Sequence, residues 1–183
     1  MIWGATGAGK TTLAGNLSRA LGLHQVELDA IKHAQGWDST PREVFRELLT
    51  KRLDSHPVAW VTAGGYSEVS DIYLSRADTV VWLHLPWRVS FWRLFKRTIR
   101  RAWDGSELYE GSPARESWRL SFFSSKSILR WSITQHRNTT RKFQQRIKGL
   151  PPHIRVLELT SARDVEALVR QAQSSSSVDS SMH

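Results

Sequence analysis

The run Gly4-Ala5-Thr6-Gly7-Ala8-Gly9-Lys10-Thr11 fits G-x-x-x-x-G-K-[ST] at every fixed position, and no other stretch restricts the fold as much. Such a loop sits between the end of a buried strand and the start of a helix, so it demands a strand before residue 4 and a helix from about Thr11. Three glycines let the backbone curl until successive N–H groups face one anion, and the helix adds the positive end of its dipole. A chance glycine-rich turn is the bland alternative. Against it stand the Lys-Thr pair after the last glycine and the helical repeat Leu13, Leu17, Ala20 and Leu21. Gly4, Ala5, Thr6, Gly7, Ala8, Gly9, Lys10, Thr11 and Thr12 are therefore the candidate phosphate-binding residues. Lys10 is placed to reach the β- and γ-phosphates and Thr11 to hold Mg²⁺.

Only Met1-Ile2-Trp3 precede the loop, so the first strand looks clipped. Gly22 stops the first helix. Gln25 to Asp29 reads as a second strand with Asp29 at its C-terminal end, the edge of an open α/β sheet where ligands bind. A carboxylate there can hold a magnesium water or accept a hydroxyl proton, and it can equally be an ordinary helix cap. Thr40-Pro41-Arg42-Glu43 looks like a cap with Pro at the first helical position, opening a helix to about Ser55 with Val44, Phe45, Leu48, Leu49 and Leu53 as its apolar stripe. Strands are expected at Val58–Thr62, Thr79–Leu85 and Ile154–Leu159, with a short helix after Gly64-Gly65-Tyr66. Alternation of strands with helices implies a parallel sheet.

From Trp87 to about Trp103 the pattern is helical, with Trp92, Phe95 and Ile99 on a stripe that suits the core. Arg93, Arg97 and Arg100 fall on an adjacent stripe, where planar guanidiniums suit phosphate oxygens. Asp104 to Glu116, with two glycines and a proline, reads as a lid, followed by a helix from Ser117 to about Lys148 carrying Arg137, Arg141 and Arg146. Ser161 caps a last helix to about Gln173, so that residues 1–173 make one domain and the Ser-rich tail 174–183 is expected to be disordered.

Charge is concentrated. Residues 87–155 carry 16 basic and 4 acidic groups, against 8 and 9 in 1–86 and 2 and 4 in 156–183. A polyphosphate clamp, a nucleic-acid surface and a solvated helix face all fit such a block. Of the nine tryptophans, Trp60, Trp82, Trp92 and Trp131 read as core, whereas Trp37, Trp103 and Trp118 are candidates for ligand contact. Zero cysteines exclude disulfides and thiolate chemistry, and the lack of a signal peptide or long apolar run makes a soluble cytoplasmic protein the expectation.

From Gly4 to about Leu168 the sequence resembles the adenylate-kinase-like P-loop kinases, and more closely their small bacterial subgroup labelled DNA topology modulation proteins or adenylate kinases. Besides the phosphate loop, the resemblance rests on Leu28-Asp29-Ala30 with Gly36-Trp37, on Trp60 to Tyr66, on Arg76 to Trp82 leading to Leu85-Pro86, and on Ser127 to Trp131. It implies a three-layer α/β sandwich with a five-stranded parallel sheet in order 2-3-1-4-5, an acceptor-binding region after strand 2, and an inserted lid. In the wider kinases a Pro followed by Arg at the seventh and eleventh positions marks nucleotide-contacting arginines, and Pro86, Arg93 and Arg97 match that spacing. Two departures stand out. Ala63 replaces the usual Asp that fixes a magnesium water, with Gly65 in place of the neighbouring Asn, and His84 replaces an Asp near strand 4 and reads as structural.

The resemblance implies an ATP-dependent, Mg²⁺-assisted kinase for a nucleoside, nucleotide or other small polar acceptor. Lys10, Asp29, Arg93 and Arg97 are its candidate catalytic residues, Arg137 and Arg141 further nucleotide contacts, and Thr11 and Asp29 the metal site. Arg93 and Arg97, at the matched spacing, should matter more to ATP use than Arg146. The alternative, from the subgroup's label and the basic block, is a nucleotide-dependent nucleic-acid-binding protein with little kinase activity.

Overall fold

Although only three residues long, β1 (Ile2–Gly4) lies at the centre of the sheet. It pairs in parallel with β3 (Trp60–Ala63) on one side and β4 (Thr79–Leu83) on the other, while β2 (His24–Glu27) and β5 (Arg155–Leu159) form the edges. The order is β2-β3-β1-β4-β5, all parallel, as the resemblance implies. The structure is a computed structural model and describes residues 1–33, 40–57, 59–104 and 128–179. The expected lid, apart from Asp104, and Trp37 and Trp118 lie outside the described residues, as do the side chains of Trp103 and Trp131.

Strand periodicity divides the core in two. Ile2, Val61, Ala63, Val81 and Leu83 face Leu13, Ala14 and Leu17 of α1 (Lys10–Leu21) and Ala172 of α7 (Ala162–Asp179). Trp3, Val26, Val80 and Trp82 face the other way, against Phe45, Leu49 and Leu53 of α3 (Arg42–Asp54) and Tyr73 of α4 (Ser70–Leu74). Phe143 and Ile147 of α6 (Ile128–Lys148) close over that face. Both faces of the sheet are thus covered, which is why the central strands β1 and β4 read as near-continuous apolar runs.

Several boundaries differ from expectation, each for a local reason. The second strand ends at Glu27, and Leu28–Lys32 form a short helix, α2, so Asp29 stands on a helix and not at a strand end. Thr40 does not cap α3: its hydroxyl donates to the Ile31 carbonyl, which ties the loop to α2 and leaves Pro41 as the cap residue. Val44 and Leu48 are exposed, so the buried stripe of α3 is Phe45, Leu49 and Leu53 alone. At the other end of the chain, a reciprocal box caps α7. Ser161 Oγ accepts from the Asp164 amide and Asp164 accepts from the amides of Thr160 and Ser161. That helix runs past the expected end at Gln173 to Asp179, with the hydroxyls of Ser174 and Ser175 donating back to the Gln171 carbonyl. Among the described residues no helix is long and apolar enough to cross a membrane.

Candidate active site

The phosphate loop leaves β1 at Gly4 and enters α1 at Lys10. Gly7 and Gly9 have φ of 82° and 96°, in the left-handed region that glycine alone adopts freely. Gly7 is also sterically committed, since a Cβ there would lie 2.4 Å from the Ser90 carbonyl oxygen of α5 (Trp87–Asp104). The loop is therefore pressed against the first turns of α5. Gly9 is the cap residue of α1, and no side chain caps that helix. Its first-turn N–H groups have no intrahelical acceptor and carry the positive end of the dipole.

Two cations are folded onto this cradle. Lys10 Nζ donates to the carbonyls of Gly4 and Ala5, at 3.0 and 3.1 Å, so the ammonium curls back over the loop it follows. Arg93 Nη1 donates to the Ala8 carbonyl at 3.2 Å. Burial pushes the Lys10 ammonium below its ordinary value, Asp29 pulls it upward and Arg97 adds to the depression. A partly buried ammonium whose hydrogen bonds go to neutral carbonyls stands to gain from an anion placed in the cradle.

The structure thus brings Lys10, Asp29, Arg93 and Arg97 to one edge of the sheet. Asp29 Oδ1 accepts a 2.7 Å hydrogen bond from the Tyr66 hydroxyl, and a Cβ on Gly64 would lie 3.9 Å from that same oxygen. The carboxylate therefore stands over the end of β3, immediately beyond Ala63. Ala63 itself is buried among Ile2, Val81 and Leu83 on the α1 side. Thr11 and Thr12 are exposed at the start of α1. Among the described residues no three His, Cys, Asp or Glu side chains converge as a metal cluster. The Thr11 hydroxyl and the Asp29 carboxylate nevertheless fit Mg²⁺, which takes oxygen donors, keeps several waters and is usually bound through one or two carboxylates plus phosphate.

Other candidates are placed differently. Arg141 is exposed on α6, and the side chain of Arg137 lies outside those described. Trp92 is 56% exposed, against the expectation that it packs in the core, because Ser90 and Leu94 supply the buried face of α5. His84 is structural: its ring stacks on Trp82 and its Nδ1 lies 2.6 Å from Glu158 Oε1. A residue that sequence reasoning left among the surface charges is Arg146. Its guanidinium lies over the Trp3 ring, Nη1 donates to the Gly65 carbonyl at 2.6 Å, and Nη2 donates to the Tyr73 hydroxyl at 2.8 Å. A groove lined by Arg46, Lys51, Asp54 and Ile72 lies along α3 and includes none of the phosphate-loop residues.

No protein-family model and no curated protein match the sequence. Solved structures do. The chain is similar to a shikimate kinase from Bacteroides thetaiotaomicron, with TM-score 0.55, 16% identity and 94% of each chain covered. It is similar also to a sugar kinase from Janibacter (TM-score 0.51, 17% identity, 94% of this chain and 90% of that one). The deoxyadenosine kinase of M. mycoides with bound dATP gives TM-score 0.51 at 14% identity, covering 93% and 96%. At such identities the likeness establishes the fold. The chain has the P-loop NTPase fold, with its five-stranded parallel sheet in the order β2-β3-β1-β4-β5.

Proposed function

We propose that the protein is an ATP-dependent phosphotransferase acting on a small polar acceptor such as a nucleoside, a nucleotide or a comparable metabolite. The observation that carries this reading is the uncapped start of α1 together with Lys10, folded onto its own loop carbonyls beside Asp29, Arg93 and Arg97. Backbone N–H groups from Gly7 to Thr12 would hold the phosphates, and Lys10 would turn from the Gly4 and Ala5 carbonyls to the transferred group. Arg93 and Arg97 would neutralise charge there, with Arg137 and Arg141 as further contacts to the nucleotide. Asp29 would orient or deprotonate the acceptor hydroxyl, or hold a water of the metal. Thr11 and Asp29 would hold Mg²⁺, whose chemistry there would be neutralisation of charge on the phosphates. Residues 1–173 would act as one kinase domain with 104–116 as its lid. The three structural neighbours, by their names, act on a hydroxylated ring acid, on a sugar and on a nucleoside, so the acceptor is left to experiment.

The test is ADP formation from ATP across a panel of nucleosides, nucleotides, sugars and hydroxy acids. Saturable, acceptor-dependent ADP release identifies the substrate, and tight ATP binding with no release above background on any acceptor would remove the kinase reading. The basic block of residues 87–155 and the exposed Trp92 on α5 support a second reading, nucleic-acid binding of the kind the DNA topology modulation label suggests. Salt separates the two. Affinity for nucleic acid should fall steeply with ionic strength, whereas saturation by a neutral acceptor should not.

A further inference from the structure

A directed hydrogen-bond chain runs beneath the site. Arg146 Nη2 donates to the Tyr73 hydroxyl, the Tyr73 hydroxyl donates to the Tyr66 carbonyl at 3.0 Å, and the Tyr66 hydroxyl donates to Asp29 Oδ1. Arg146 has no choice of geometry, because its other nitrogen holds the Gly65 carbonyl and its plane rests on the Trp3 ring. Gly65 is closely packed: a Cβ there would sit 3.1 Å from Arg146 Nη1 and 3.4 Å from Phe143, so these side chains would have to give by a few tenths of an ångström. Tyr73 is fully buried, and the Tyr66 ring is packed edge-on against Phe45, with centroids 5.5 Å apart. Each link is thus fixed by packing on at least one side, and the last link is the carboxylate. A half-buried Asp on a five-residue helix would otherwise move among rotamers. Here Tyr66 engages one oxygen, Oδ1, and so fixes how the carboxylate is turned.

Resting on the reading of Asp29 as a site carboxylate, we infer that Tyr66 is a positioning residue for Asp29 and that Arg146, through Gly65 and Tyr73, holds Tyr66 in place. The pair ties α6 to the metal and acceptor side of the sheet. It also supplies what Ala63 cannot. With no carboxylate at the end of β3, the neighbouring one must be oriented from outside, and Tyr66 is the group that touches it.

The test is calorimetric titration of ATP, with and without Mg²⁺, into the intact protein and into Tyr66→Phe, Asp29→Asn and the double variant, with thermal unfolding as a control. The Mg²⁺-free titrations give each variant its own reference, since Asp29 also acts on the charge of Lys10. With Mg²⁺, Asp29→Asn should weaken binding about tenfold, and Tyr66→Phe about three- to tenfold, as loss of a hydrogen bond to a charged group implies. The double variant should be no weaker than Asp29→Asn alone, because Tyr66 acts through Asp29. Wild-type Mg·ATP affinity in Tyr66→Phe, or losses that add in full, would overturn the positioning role. Should Asp29→Asn leave Mg·ATP binding unchanged, the metal role proposed above fails, and a crystal structure of Tyr66→Phe then decides the positioning. A carboxylate turned away from its present orientation supports it, and an unmoved one overturns it.

Discussion

At the scale of single residues, the site depends most on Lys10 and on the residue at position 63. Lys10 is held by two carbonyls and depressed by burial, so its ammonium gains most when phosphate oxygens replace them. Lys10→Ala should therefore lower kcat/KM for ATP by about 100- to 1,000-fold, the loss typical of one transition-state donor, with thermal unfolding little changed. Steady-state kinetics with unfolding curves check this, and near-normal turnover in a folded variant would remove Lys10 from the mechanism. Ala63 poses the opposite case, a small buried side chain where the resemblance leads one to expect a carboxylate. Ala63→Asp would bury an acid among Ile2, Val81 and Leu83, so the free protein should lose about 1–3 kcal/mol, as for an unsatisfied buried polar group. Magnesium should relieve that cost. In a magnesium titration of ADP formation the midpoint should fall, by up to about tenfold, and Mg·ATP should restore the melting temperature. An unmoved midpoint would mean that Asp29, standing just beyond residue 63, already performs this role.

At the scale of elements, α5 and α6 divide labour that sequence alone presents as one basic block. The spacing of Arg93 and Arg97 after Pro86 was legible, and the structure sets Arg93 against the loop carbonyl of Ala8. Arg146 was not legible as more than a charge. Its partners Gly65 and Tyr73 lie 81 and 73 residues away, on elements that meet only once the sheet has formed. Trp92 misled for a related reason. A helix stripe of aromatics shows amphipathicity without saying which side is buried, and here the glycines of the phosphate loop demand the narrow side, Ser90 and Leu94. The two arginines should accordingly fail in different ways. Arg93→Ala should weaken ATP use about 10- to 100-fold, in line with a charged hydrogen bond, and leave stability nearly unchanged. Arg146→Ala should lower stability by about 1–3 kcal/mol, because the Gly65 carbonyl and Tyr73 hydroxyl lose their donor. Denaturant unfolding beside ADP-release kinetics separates the two. Equal stability losses would contradict the division.

For the whole molecule, the parallel sheet was legible in the alternation of strands with helices and its order in the resemblance to the adenylate-kinase-like kinases, whereas the chain's weak points were not. One of these lies at the start of β2. His24 and His56 stack with ring centroids 3.5 Å apart and planes 3° from parallel, and His24 Nε2 and His56 Nδ1 are both buried with no hydrogen-bond partner among the described residues. Burial lowers the His24 pKa from its ordinary 6.5, and the positive potential of His56 and of Arg52 on α3 lowers it further. The sign follows directly. The unfolded chain protonates His24 at a higher pH than the folded chain does, so the pair's contribution is complete above about pH 6.5 and is lost as pH falls through the depressed folded value. Acidification from about pH 7.5 to about pH 5 should therefore lower the melting temperature more in the natural protein than in His24→Gln, which stays neutral throughout. Melting curves at matched ionic strength make the comparison, since salt would also screen Arg52. A parallel fall in both proteins would place the acid sensitivity elsewhere, and a fall confined to the natural protein would locate it in this stacked pair, at the start of an edge strand of the sheet.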